Sequence, residues 1–442
     1  MSSPRSVQPA ATGLEGEAAL VRAVGGVALT AAIINIIVGA GIFMLPALLM
    51  TRMGPSAPIA FVAGALAIIP IALCFAAIGS RAGATGGPYT YVTVAFGPFP
   101  GFIAGALMWI CNAASSGGVA AALTSQVAKA FPMFAESGPR AMLLVGVYTV
   151  LIALNAFGVK LGARAISVLA TLKLTPLFLL VAIGLFFVDW NQISWFDVPS
   201  LGMLGTSMVL VMFAYSGMET ALIPSGELRD SAHSVPRATM AAILLVVLLY
   251  VGIQVVCQGL LGPQLAASNA PIAEAAATLW SPGLIALLIT AGVSMAGFLM
   301  GNLLASSRLL FALGRDGFLP RAFGRVSATH RVPLLAIVCH GVVGCALAMA
   351  GNFETLALIS GGANCLIYLA VSIAAWHAQR LNLRERGEPF VMPAGALIPL
   401  IASLAMIAIL ATLTAAEWSA IAVALAALVA LYGVLHLLRG RR

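Results

Sequence analysis

Two side chains in this 442-residue chain stand where ionisable groups are expensive. Lys173 lies within ISVLATLKLTPLFLLVAIGLF and Glu219 within LGMLGTSMVLVMFAYSGMETALIPSGE, both apolar enough to sit in hydrocarbon. A charge near the centre of a bilayer costs at least ~2.5 kcal/mol by insertion scales, so each invites a functional question. The chemistry open to both is proton exchange; Glu219 could also serve as counter-charge to a cation. Each has a structural alternative. Lys173 is only about two and a half turns from Arg164 and could extend its stem to the interface, and Glu219 could cap unwound backbone.

No other residue set offers chemistry. HExxH and GxSxG are absent, and the five histidines His233, His330, His340, His377 and His436 are scattered. The six cysteines lack CxxC spacing and read as small buried hydrophobes. Gly39-Ala40-Gly41 is no dinucleotide fingerprint, because Met44 holds the third glycine's place and no strand precedes it. We therefore expect no catalytic residue, cofactor or metal. A channel would want a symmetric filter or a charged pore ring, and neither is visible.

The elements that must position Lys173 and Glu219 are helices in a membrane. With 61% hydrophobic and 8% charged residues, the chain has too little polar surface for a soluble globule. Apolar segments long enough to cross a hydrocarbon core fall at about 26–51, 56–79, 99–128, 140–158, 166–188, 200–226, 237–261, 280–311, 332–351, 354–378, 395–414 and 417–438. Twelve spans, all helical, are expected, since these stretches are apolar on every face rather than alternating. With the N-terminus inside, the loops on that side carry eighteen of the 22 basic residues; Arg52, Lys129 and Arg140 lie opposite and Lys173 lies within the membrane. Both termini are then cytoplasmic. Residues 1–24 read as a cytoplasmic tail without a signal peptide. The net charge of +8 is explained by this topology and needs no nucleic acid.

Two of the spans are built to break. In NIIVGAGIFMLP, Gly39, Ala40 and Gly41 interrupt span one, and Pro46 removes a donor further on. In span six, Ser216 and Gly217 sit mid-span, with Glu219 within one turn. Backbone groups freed in hydrocarbon cost several kcal/mol each unless something polar meets them. The first and sixth spans are corresponding members of two five-helix repeats, and such a pair points to a transporter's midplane binding site.

Four segments carry a family resemblance. VGAGIFMLP is similar to a G-[SA]-G-I-F element. GSRAGATGGPYTYVTVAFGPFPGF is similar to a P-x-x-G-G-x-Y-x-Y segment. FAYSGMETALIPSGELRDSAHSVPRA resembles G-[FVM]-[DE] followed by E-x-[KR] and P-R-A, and SRLLFALGRDGFLPRAFGRVSATHRVP resembles an R-D-G-x-[LF]-P loop. Together, in this order, they resemble the amino acid, polyamine and organocation (APC) transporters. Ala77 stands where that family often has an acid, and Gly83 where it often has proline.

The resemblance implies an all-α integral membrane protein of twelve transmembrane helices with the LeuT-type 5+5 inverted repeat, 25–190 and 191–380, and two appended helices in 381–442. It implies an amino acid substrate whose carboxylate meets the N–H groups of Ala40, Gly41 and Ile42 beside Gly39. The ammonium would meet the carbonyls of Ile37, Phe213 and Ser216 near Gly217. Helix-end partial charges agree with that polarity. Side-chain selectivity would fall to Asn112, Ser116, Tyr215, Glu219 and Asn302. Lys173 matches a span-five lysine that takes the place of sodium between spans one and eight in relatives. The implied activity is sodium-independent, proton-coupled uptake through Lys173 and Glu219 in the lipid bilayer of a bacterial inner membrane. The alternative is an amino acid or amine exchanger, and a channel is the distant one.

Overall fold

The computed structural model describes residues 25–440 apart from 83–84, 158–162, 198–199, 224, 226–227, 229, 328–331 and 385–387. The expected tail 1–24, Gly83 and the basic loop residues Lys160, Arg229, Arg331 and Arg386 lie outside the described residues. Helices occupy every expected apolar segment: α1 (Gly26–Ile37), α2 (Gly41–Met53), α3 (Ala57–Gly79), α4 (Pro88–Phe96), α5 (Pro98–Ala130), α6 (Ser137–Ala156), α7 (Ala163–Gly184), α8 (Leu201–Tyr215), α9 (Met218–Ala221), α10 (Ser231–Leu261), α11 (Pro271–Leu279), α12 (Gly283–Arg315), α13 (Leu334–Ala350), α14 (Phe353–Arg380), α15 (Leu397–Leu410) and α16 (Ala415–Gly440). No strand occurs among the described residues. Seven helical stretches are long and apolar enough to cross a membrane, and four shorter apolar helices accompany them.

Sequence punctuation sets the boundaries. Proline opens α4, α5 and α11 at their first positions, where its missing N–H costs nothing. Asn352 caps α14 by accepting from Thr355 N at 2.9 Å. Span one is two helices, as the glycines require: α1 stops at Ile37, and α2 restarts at Gly41 after the three-residue break Val38–Ala40. Span six divides likewise, since α8 ends at Tyr215 and α9 begins at Met218.

Burial sorts the helices into an inner set and a jacket. In the most apolar stretch of α5, 83% of residues are buried, against 17% in α6. The glycine- and serine-rich α5 is therefore an axis of the bundle, while α6 turns most of its Val, Leu and Ile surface outward, as a helix facing lipid does. Around α5 stand α12, α13 and α14. On the other side α10 packs against α3 and α1, α7 packs against α1 and α12, and α8 packs against α2, α3 and α14. The broken helices thus lie at the centre of the molecule.

Candidate functional site

At the first break, the chain turns tightly and then restarts. Gly39 N donates back to Ile37 O at 2.7 Å, and Phe43 N reaches Ala40 O at 3.1 Å. The N–H groups of Ala40, Gly41 and Ile42 donate to no other group among the described residues. They form the positive end of α2, the arrangement that attracts an anion. The carbonyls just before them are claimed. Lys173 Nζ donates to Asn35 O at 2.7 Å and Val38 O at 2.8 Å, Ser294 Oγ to Val38 O at 2.6 Å, and Tyr250 OH to Ile37 O at 3.0 Å.

At the second break, Ser216 is extended and Gly217 has φ +135°, a conformation that an L side chain rarely adopts. Both carboxylate oxygens of Glu219 accept from Gly217 N, at 2.9 and 3.0 Å, and Tyr368 OH donates to Oε2 at 2.8 Å. Two glycines let the breaks touch. A Cβ on Gly217 would stand 2.8 Å from Ile37 N, at the end of α1, and a Cβ on Gly41 would stand 2.9 Å from Ala214 Cα, at the end of α8. Each restart is seated on the last turn of the opposite helix.

Beside the crossing lies a small cavity lined by Cys111, Asn112, Ser115, Ser216, Gly217, Glu219, Thr220, Phe298, Asn302 and Asn364. Its walls are the second break together with α5, α12 and α14. The lining does not include Gly39 to Ile42. Phe298 explains the separation, because its ring packs over Gly39, leaving only 3.0 Å between Cδ2 and an added Cβ there, while it also lines the cavity.

The three basic residues expected on the far side from the termini are all engaged. Arg52 at the end of α2 pairs with Glu354 at the start of α14. Lys129 at the end of α5 meets Glu274 of α11 at 2.8 Å, and Arg140 donates to Ala348 O at 3.4 Å. Burial acts to raise the Glu274 carboxyl, but hydrogen bonds from Lys129 and Ser268 outweigh it and hold the group below the usual glutamate value.

A family model described as amino acid permease matches residues 24–435, nearly the whole described chain. The chain belongs to that family. Within it, this permease is 25% identical over 393 residues to the branched-chain amino acid permease BcaP of Bacillus subtilis, covering 84% of this chain and 83% of the relative. It is 24% identical over 388 residues to the vacuolar cationic amino acid transporter 4 of Arabidopsis thaliana, covering 81% and 63%. It is 27% identical over 373 residues to the human large neutral amino acids transporter small subunit 2, covering 80% and 69%. These relatives are permeases and transporters, so the APC resemblance stands and the protein is not an enzyme.

Most of the residues expected at the permease's site converge. Ile37, Gly39, Ala40, Gly41 and Ile42 form one break, and Phe213, Ser216 and Gly217 the other; Asn302 and Glu219 line the cavity. Lys173 is 1% exposed and held by backbone carbonyls, so its ammonium does not extend to the interface. Two residues point elsewhere. Tyr215 OH donates to Phe61 O at 3.1 Å and its ring stacks on Tyr250, away from the cavity. Ser116 pairs with Tyr148 OH at 2.9 Å and is likewise absent from the lining.

Cys111, Ser115, Thr220, Phe298 and Asn364 line the cavity without having been expected there. Asn364 left a signal, a lone amide within the apolar ISGGANCLIYL. Phe298 left none, since one more aromatic in an apolar span is unremarkable.

Proposed function

We propose that this permease is a secondary transporter that carries α-amino acids across the cytoplasmic membrane by alternating access. The observation that carries the reading is the crossing of two broken helices, which sets free N–H groups of one break beside the carboxylate-bearing second break. A zwitterion complements both ends, its carboxylate on Ala40 to Ile42 and its ammonium near Ser216 and Phe213. In this reading Phe298 is the ring that must swing from Gly39 before the two parts of the site join.

The packing supports two inverted repeats, 25–190 and 191–380. Exchanging each of the first five spans for the one five later turns the α3·α10, α5·α12 and α6·α13 pairs into themselves. It also turns α1·α7 into α8·α14, α1·α10 into α8·α3, and α2·α8 into α9·α1, all of them observed contacts. With α15 and α16 appended, this packing fits a LeuT-type arrangement of twelve transmembrane helices, and the distribution of basic residues favours cytoplasmic termini. The pairs at Arg52, Lys129 and Arg140 then tie the outer side, where Arg52 joins span one to span ten.

The position of Lys173 favours sodium-independent coupling. Its ammonium and the Ser294 hydroxyl share the Val38 carbonyl, so Lys173 bridges span five to span one at the same oxygen that span eight reaches through Ser294. Release of a proton from Lys173 would remove that bridge, with Glu219 as a second proton carrier. A fixed Lys173 cation would instead suit an exchanger. Reconstitution into liposomes tests the reading: saturable amino acid counterflow is expected, stimulated by a pH gradient and indifferent to sodium. Absence of counterflow with every amino acid and amine would overturn it.

A further inference from the structure

The cavity's polar groups are arranged with a consistent polarity. Three amides line it, and in each the oxygen is engaged by a neighbouring side chain. Asn112 Oδ1 accepts from Thr220 Oγ1 at 3.1 Å, Asn364 Oδ1 from the Cys111 thiol at 3.0 Å, and Asn302 Oδ1 faces His340 Nε2 at 3.0 Å. What remains for the cavity is the NH2 group of each. The Nδ2 atoms of Asn112 and Asn364 are buried and have no partner among the described residues, in residues only 2% and 0% exposed. Buried amide donors without acceptors are costly, and two in the wall of one small void call for a ligand that supplies acceptors.

From this geometry we infer that the site takes a small α-amino acid whose side chain ends in a hydroxyl or a carboxamide. The inference rests on the amino acid reading above and names its substrate class. An acceptor oxygen on the side chain has two lone pairs to take hydrogen bonds from the Asn112 and Asn364 amides. The O–H or N–H on the same side chain would find an acceptor in the Glu219 carboxylate, which lines the same cavity.

Other classes fit worse for reasons on the same walls. A branched aliphatic side chain would leave the amides unpaired, the situation in which a hydrogen-bonding site rejects an analogue most strongly. A cationic side chain could pair with Glu219 but offers no acceptor to the Asn112 and Asn364 amides. An acidic one would bring a second carboxylate against Glu219. The class differs from the branched-chain, cationic and large neutral substrates that the names of the relatives print.

The test uses the full-length protein in liposomes loaded singly with serine, threonine, asparagine, valine, leucine, lysine or aspartate, each assayed for counterflow of the same labelled amino acid. Serine, threonine or asparagine should exchange with at least about tenfold higher kcat/KM than valine, leucine, lysine or aspartate, the tenfold being about 1.4 kcal/mol for a donor left unpaired. The Asn112→Leu and Asn364→Leu variants should each narrow the serine-to-valine ratio by about tenfold. The ranking in the unaltered protein decides the matter even if neither variant folds. Exchange of valine, leucine or lysine equal to or faster than that of the polar set would overturn the substrate class while leaving amino acid transport intact. No exchange of any amino acid would overturn both.

Discussion

Lys173 Nζ lies 2.8 Å from the carbonyl of Val38, and Ser294 Oγ approaches the same oxygen to 2.6 Å. Spans five and eight therefore grip span one at a single atom of its break. Lys173→Ala is expected to abolish stimulation of uptake by a pH gradient while counterflow persists at reduced rate. The buried Asn35 carbonyl would lose its lysine donor, a loss of about 1 to 3 kcal/mol. Uptake assays with an imposed gradient check this, and an undiminished response in the variant would remove Lys173 from coupling.

Gly217 tolerates no side chain on two counts, its φ of +135° and the Ile36–Ile37 backbone within 3.0 Å of an added Cβ. Strain of this kind costs about 1 to 3 kcal/mol before any clash is counted. Gly217→Ala should lower the melting temperature of the purified protein and reduce transport at least about tenfold. Gly146→Ala on α6, where an added Cβ meets nothing within 4 Å, should leave both as they were or raise stability slightly.

Glu219 accepts from Gly217 N and from Tyr368 OH, so Glu219→Gln keeps the shape but turns an NH2 toward one of these donors. If the carboxyl carries a proton during transport, the variant's rate should become insensitive to pH across the range in which the parent responds. An unchanged profile would leave Glu219 as a cap on the second break.

The Lys129–Glu274 pair gives a pH dependence of stability whose sign is fixed. The folded-state pKa of Glu274 lies below its ordinary value of 4.5, so the stabilisation is complete above that value and disappears as pH falls through the lowered one. Thermal melts should show Glu274→Gln less stable than the parent near neutral pH, with the gap closing in acid. The difference will be small, because the two side chains are 41% and 26% exposed and water screens the pair.

The breaks were legible in sequence because glycine and proline act locally: Gly39, Gly41 and Gly217 each disturb their own helix whatever surrounds it. Lys173 was legible because burial of an ammonium is costly wherever it occurs. Which side chains face the cavity was not, because that depends on the rotation of each helix about its axis. Tyr215 adjoins the second break in sequence, yet its ring turns to Phe61 and Tyr250. Ser115 lines the cavity while Ser116, about 100° round the same helix, meets Tyr148. An apolar membrane helix has no polar face to reveal its rotation, so contacts from α12 and α14 had to supply it.

The seating of Gly217 on Ile36–Ile37 and of Gly41 on Ala214 also has a mechanical meaning. With no side chain between them, α1 cannot tilt without pressing on α9, nor α8 without carrying α2. The four half-helices meet at one crossing like two levers on a shared fulcrum, so a displacement of either would be expected to reach both breaks.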